Sequence, residues 1–180
     1  MEEYTKFGGK ELFFEKTGMY IDFDQLKKLP NINTLIDIGV GPFGTPDLYE
    51  RFDPSYMILV DPVSEAKSVA ETVREKYDLS FHHCGVGSER GELTLNVESE
   101  FGYSSFLEVA DINFRGPGEK RVVEIKTLDS IVLAEARDLG KIGIKIDTEG
   151  FELDVIRGAK RTLEMSEFVI AEVRHNHESF

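Results

Sequence analysis

The sequence predicts an α/β domain built on a mostly parallel sheet with helices on both faces, and three observations lead to it. Short apolar runs at Thr34–Ile38 and at residues 57–60, 80–84, 143–146 and 168–173 each have the length of one buried strand. Amphipathic stretches lie between them: residues 64–77 carry Ala66, Val69, Ala70, Val73 and Tyr77 at helical spacing, and residues 151–163 carry Phe151, Val155, Ala159 and Leu163 on one face. That alternation is the signature of a parallel sheet wrapped by helices. Residues 85–127 change the rhythm, because Glu92 to Val97 and Val122 to Thr127 alternate apolar and polar as half-buried antiparallel strands do. They are read as a β insertion.

The first 33 residues are less regular. Glu11-Leu12-Phe13-Phe14 and Tyr20-Ile21-Asp22-Phe23 are apolar fragments, and residues 24–29 suit a helical turn ended by Pro30. This stretch is expected to be an N-terminal cover, with residues 34–180 forming the main domain.

Composition narrows the class. A chain of 180 residues fits one domain, and its net charge of −13, from 34 acidic against 21 basic side chains, would repel a polyphosphate, so nucleic acid is not an expected partner. Neither is a membrane: no apolar run approaches the roughly 20 residues of a spanning helix, and the start of the chain lacks the features of a secretory signal, so a cytoplasmic protein is expected. Cys84 is the sole cysteine, which excludes an internal disulfide and suits a small reduced core residue. His82 and His83 lack the spacing and company of a metal site, and no metal is expected.

Chemistry first appears after the first strand. Leu35-Ile36-Asp37-Ile38-Gly39-Val40-Gly41-Pro42-Phe43-Gly44 sets a turn containing Gly39, Gly41 and Gly44 directly on a strand end, where glycine lets the backbone turn tightly and approach a ligand. Asp61 closes the next strand roughly 20 residues further on, the separation at which an acid meets a ribose diol. The pair implies a nucleoside cofactor. Asp37 at the lip of the loop would repel a pyrophosphate but suits an ammonium or a sulfonium, and Pro42 removes one of the amides a phosphate cradle needs. Both features favour S-adenosyl-L-methionine over NAD.

At this point the sequence resembles the FkbM-type methyltransferases. The resemblance is carried by Asp37-Ile38-Gly39, Val60-Asp61-Pro62, Cys84-Gly85-Val86-Gly87 with Gly91, Ser104-Ser105, Thr127-Leu128-Asp129 and Ile144-Lys145-Ile146-Asp147-Thr148-Glu149-Gly150-Phe151-Glu152, then Gly158-Ala159 and Ala171-Glu172. It implies a Rossmann-like class I methyltransferase fold, sheet order 3-2-1-4-5, with S-adenosyl-L-methionine as cofactor. It also implies methyl transfer to a hydroxyl of a sugar or small natural product, and it adds Cys84, Gly85 and Ser105 to the cofactor-binding positions. Three departures stand out: Val40-Gly41 intervenes where the family has Ala-Asn, Asp61 stands where the family commonly has the longer Glu, and the chain stops after its fifth strand, where the fold normally adds a final pair. The open edge this leaves would need cover, for which a homo-oligomer is one expectation.

Ligands of open α/β sheets sit at the carboxyl ends of the strands. Methyl transfer to oxygen needs a group that aligns the acceptor and takes its proton, and Asp147 and Glu149 are the first candidates, with Glu172 and His175 behind them. A turn-fixing role for Asp147 and a helix-dipole role for Glu149 are equally open. Lys145, inside an apolar strand, should have a carboxylate partner. Two other readings use the same residues: an NAD-linked oxidoreductase, or a truncated nucleoside-binding module without catalysis.

Overall fold

The computed structural model describes residues 5–7, 10–14, 26–98, 104–107 and 118–172. Among these described residues, ten strands fall in two sheets: β1 (Thr5–Phe7), β2 (Lys10–Phe14), β3 (Thr34–Ile38), β4 (Tyr56–Val60), β5 (Leu79–His82), β9 (Ile142–Ile146) and β10 (Ser166–Ala171) in the larger, and β6 (Gly85–Val86), β7 (Gly91–Val97) and β8 (Glu119–Lys126) in the smaller. The large sheet runs β1-β2-β10-β9-β3-β4-β5, and every contact from β2 to β5 is parallel. All residues of β3, β4 and β9 are buried, as a sheet covered on both faces requires.

Alternation along these strands makes two cores. Leu35, Met57, Leu59 and Phe168 face α1 (Pro46–Phe52) and α2 (Lys67–Arg74), which follows a short 3-10 turn at Ser64–Ala66. Ile36, Ile58, Ile144 and Val169 face α3 (Leu128–Ala134), α4 (Glu152–Arg157) and α5 (Lys160–Met165). The insertion is the three-stranded sheet β6-β8-β7, with β7 antiparallel and β6 parallel to β8.

The single helix expected over residues 151–163 is instead two, α4 and α5. A side chain on Gly158 would stand 2.0 Å from the Gly87 carbonyl, so the chain passes the β6–β7 turn too closely to continue as one helix. The Asp129 carboxylate in α3 then accepts the Arg161 and Thr162 amides and the Thr162 hydroxyl, restarting the helix as α5. The helix expected over residues 64–77 ends at Arg74, and α1 and α3 were not expected from the sequence.

The expectation of a missing final strand pair is corrected. The edge of β10 is occupied by β2, parallel through Ile170 to Phe13 and Ala171 to Phe14, and β1 follows antiparallel. Part of the supposed N-terminal cover thus extends the sheet along the Ile170–Ala171 end of β10. Tyr20 to Phe23, His175 and Val173, the last residue expected in the fifth strand, lie outside the described residues.

Candidate functional site

Backbone ladders carry each central strand one residue past its end. Gly39 donates to the Val60 carbonyl, Asp61 to His82, Asp147 to Ile38 and Glu172 to Ile146. Strand alternation sets Asp37 and Lys145 in one layer, in register across β3 and β9, on the α1 and α2 side of the sheet. Asp61, Asp147 and Glu172 follow one step above it. The acids the sequence singled out therefore share one end and one side of the sheet, the place where such folds hold ligands.

The lower layer is closed. Asp37 is fully buried rather than at the lip of the loop; its Oδ2 accepts the Tyr49 hydroxyl and, at 3.2 Å, the Thr45 hydroxyl, while Oδ1 lies 3.1 Å from Lys145 Nζ. Burial, with the carboxylate beside it, drives the Tyr49 hydroxyl far above its ordinary range, so it remains a donor. Thr45 precedes α1 but does not cap it, its hydroxyl being spent on Asp37. Lys145 donates to the Gly39 carbonyl at 2.6 Å and lies 3.4 Å from Asp147 Oδ2. Burial would lower this ammonium, but Asp37 and Asp147 outweigh it and hold the lysine charged above its usual value. The expected carboxylate partner of Lys145 is thus two carboxylates.

The loop above is shaped by glycine. Gly39, Gly41 and Gly44 all have positive φ, and a side chain on Gly39 would meet the Asp147 carbonyl at 1.7 Å. Asp61 pins the loop: Oδ2 accepts the Gly41 amide at 2.9 Å and Oδ1 the Val63 amide at 2.7 Å. Burial holds the Asp61 carboxyl above its ordinary range despite both amides. Phe43, 80 % exposed, projects from the loop.

The upper layer is open. The Asp147 side chain is 34 % exposed although it pairs with Lys145, so it reaches both the lysine and solvent. Glu172 follows the end of the neighbouring strand, and its partial burial together with the Asp147 charge raises the Glu172 carboxyl. Glu149 sits at φ 55°, with its carbonyl accepting the Ser105 hydroxyl at 2.8 Å. Glu152, not singled out before, organises this turn: Oε1 accepts the Thr148 amide and hydroxyl and the Gly150 amide. Much of the Lys-Ile-Asp-Thr-Glu-Gly-Phe-Glu run therefore builds a rigid platform for Asp147.

The positions added by resemblance lie apart from this row. Cys84 belongs to the opposite core, with Ile36 and Ile144, and burial pushes its thiol up to about 11. A side chain on Gly85 would strike Ile125 and Phe106, and Ser105 fastens the insertion to the 149 turn. On that same side Glu135 accepts from Tyr56, Ser80 and His82. The one ring nitrogen of His82 faces both Ser80, at 3.3 Å, and Glu135, at 2.7 Å, so no proton relay exists there. Among the described residues no group of three or more His, Cys, Asp or Glu could hold a metal, and no helix is long and apolar enough to cross a membrane.

Residues 44–180 match the Methyltransferase FkbM domain model, and the chain belongs to that family. The match begins at Gly44, so Asp37, Gly39 and Gly41 precede it. The chain is also 26 % identical over 174 residues to Methyltransferase 1 of Beauveria bassiana (strain ARSEF 2860), covering 86 % of this chain and 67 % of that protein. No solved structure matches it.

Proposed function

We propose that the chain is an S-adenosyl-L-methionine-dependent methyltransferase acting on a hydroxyl oxygen of a small-molecule or glycan acceptor. The observation that carries this reading is the charge of the strand-end row: Asp37, Asp61, Asp147 and Glu172 surround a single lysine. Such a crevice favours a cation and disfavours a pyrophosphate, and the loop above it lacks the Pro42 amide that a phosphate cradle would use.

Asp61 would hold the ribose diol, since each of its oxygens spends one lone pair on a loop amide and keeps another. Gly39 and Gly41 would let the backbone approach the methionine part, and Asp37 would act beneath them by fixing the loop through Tyr49, Thr45 and Lys145. Bound there, S-adenosyl-L-methionine supplies an electrophilic methyl group on a sulfonium. Asp147 would orient the acceptor hydroxyl and take up its proton, the platform of Glu152 and Lys145 keeping its carboxylate in place.

A thermal-shift panel of S-adenosyl-L-methionine, S-adenosyl-L-homocysteine and NAD tests this reading, because only a ligand of the folded state raises the midpoint. Stabilisation by both sulfur nucleosides and not by NAD is expected. Stabilisation by NAD alone would overturn it in favour of an oxidoreductase, and none by any of the three would favour a module without a cofactor.

A further inference from the structure

Resting on that reading of the crevice, we propose that Ser105 is a positioning residue for methyl transfer: its hydroxyl ties the β insertion to the turn after Asp147, so that the insertion and the proton-accepting carboxylate keep one register. Ser105 touches no reacting atom in this role and acts through the backbone of Glu149.

The turn needs holding. Glu149 at φ 55° and Gly150 at φ 103° are consecutive positions in the left-handed region, and a non-glycine residue stays there only where its surroundings fix it. Glu152 takes the amides on either side, those of Thr148 and Gly150, through one carboxylate oxygen. The Glu149 carbonyl between them accepts the Ser105 hydroxyl at 2.8 Å. Thr148, Glu149 and Gly150 are thus each held by a backbone group, the outer two from α4 and the middle one from the insertion.

Ser105 is itself fixed. It is buried, and it exchanges both backbone hydrogen bonds with Asn96 of β7, at 2.9 and 3.1 Å. Its hydroxyl oxygen also accepts the Leu107 amide at 3.1 Å, while the Asn96 side chain donates to the Leu107 carbonyl at 3.0 Å. The residues that follow meet the same turn. The Phe106 and Phe151 ring centroids are 5.0 Å apart, and a side chain on Gly150 would come within 2.6 Å of Leu107. Residues 105–107 therefore lie against residues 149–151 through a hydrogen bond flanked by apolar contacts. Apolar contacts are non-directional and permit sliding, so the hydrogen bond is what sets the register.

Alignment of the acceptor depends on that register. Asp147 is joined to the large sheet by its amide and by Lys145, whereas β7 belongs to the smaller sheet, and Ser105 bridges the two. Leu107, 48 % exposed beside Gly150, leaves apolar surface next to the turn for the carbon skeleton of an acceptor. An acceptor resting there presents its hydroxyl to Asp147 only while insertion and turn stay aligned, and a misplacement of about 1 Å can cost about 10²-fold in rate. This role differs from the cofactor contact that the family resemblance implies for Ser105, because loss of the hydroxyl should then spare cofactor affinity.

The test uses the full chain. Amide hydrogen exchange is followed residue by residue in the native protein, Ser105→Ala and Ser104→Ala; Ser104, whose hydroxyl accepts the Glu98 amide at 3.3 Å, is the control within the same segment. Ser105→Ala should speed exchange at Thr148 and Gly150 at least about tenfold and leave the β3 and β4 amides within about twofold of native. Ser104→Ala should leave the turn at native rates. Unchanged turn amides in Ser105→Ala, an equal rise in Ser104→Ala, or a rise spread over β3 and β4 would overturn the tie.

Calorimetric titration with S-adenosyl-L-homocysteine should give Ser105→Ala an affinity within about twofold of native; a loss of about tenfold or more would make Ser105 a cofactor contact and overturn the proposal. On a hydroxylated acceptor that the native protein methylates, kcat of Ser105→Ala per folded molecule should fall at least about tenfold. A native kcat would leave Ser105 a purely structural residue and end the positioning role. Failure of the native protein to bind the nucleoside would overturn the methyl-transfer reading, and the exchange rates would then decide the tie by themselves.

Discussion

Gly39 and the Asp147 carbonyl occupy one place: a β-carbon on the glycine would stand 1.7 Å from that oxygen. The glycine loop after β3 and the loop bearing Asp147 are therefore packed backbone to backbone, and a shift in one moves the other. Gly39→Ala meets this clash and also a φ of 79°, which an L-residue adopts only with strain. Urea unfolding is expected to show a loss of about 3 kcal/mol or more. Native stability in that variant would mean that the two loops are not locked as described.

Asp61 is placed to test the cofactor reading alone. It pins Gly41 and Val63 and keeps lone pairs for a ligand, so Asp61→Ala is expected to fold yet lose charged hydrogen bonds worth about 1.5 to 3 kcal/mol each. Calorimetric titration with S-adenosyl-L-homocysteine should show affinity reduced at least about tenfold. Unchanged affinity takes Asp61 out of the site.

Lys145 should matter more to stability than its one charge suggests. Lys145→Met leaves Asp37 buried with no cation, and breaking a buried pair in this way costs about 3 to 5 kcal/mol. Removing both charges in Lys145→Met with Asp37→Leu should recover much of that loss, since desolvation of the two ions is then avoided. Denaturant midpoints of the single and double variants decide the matter; equal losses would place the cost in packing instead of charge.

Glu135 gives the fold an acid-sensitive contact away from the crevice. Burial would raise its carboxyl, but hydrogen bonds from Tyr56, Ser80 and His82 outweigh burial and hold it below the ordinary range. A depressed carboxylate contributes stability above its unfolded value and loses it as pH falls through the folded one. The melting temperature of the native protein should thus exceed that of Glu135→Gln at neutral pH, with the gap closing as pH drops below about 4.5. A gap independent of pH would show that the ionised form is not what the three donors stabilise.

Much of the central sheet and the positions of its acids could be read from sequence for one reason. Buried parallel strands are short apolar runs, and counting by twos from Leu35, Met57, Gly143 and Phe168 leads to Asp37, Asp61, Asp147 and Glu172 on one side. Other features depend on contacts between distant residues. Nothing local announces that Tyr49 and Thr45 will close over Asp37, or that Gly158 will meet Gly87 and break the helix. The pairing of β2 with β10 joins residues about 157 apart, and the short apolar fragment Leu12-Phe13-Phe14 carries no mark of its partner. Glu152 shows the same limit: as a residue it reads as a helix-start acid, whereas its three contacts make it the support of the 148–150 turn.

Asp147 is where chemistry and scaffolding are hardest to tell apart, because its carboxylate pairs with Lys145 while its backbone amide extends the sheet to Ile38. Asp147→Asn keeps the backbone bond and the shape of the side chain and removes only charge and basicity. If Asp147 takes up the acceptor's proton, this variant should bind S-adenosyl-L-homocysteine with near-native affinity while turnover falls by roughly 10²- to 10⁴-fold, the range of a general base. A scaffolding role gives the opposite pattern: a lower melting temperature and turnover per folded molecule close to native. The Asp147 side chain is one-third exposed, so loss of its pairing with Lys145 should cost little stability, and the two patterns should separate cleanly. Methyl transfer is measured with tritiated S-adenosyl-L-methionine against a panel of hydroxylated acceptors, with native protein as the reference. Near-native turnover in the variant, on an acceptor the native protein methylates, would end the assignment of Asp147 as the base.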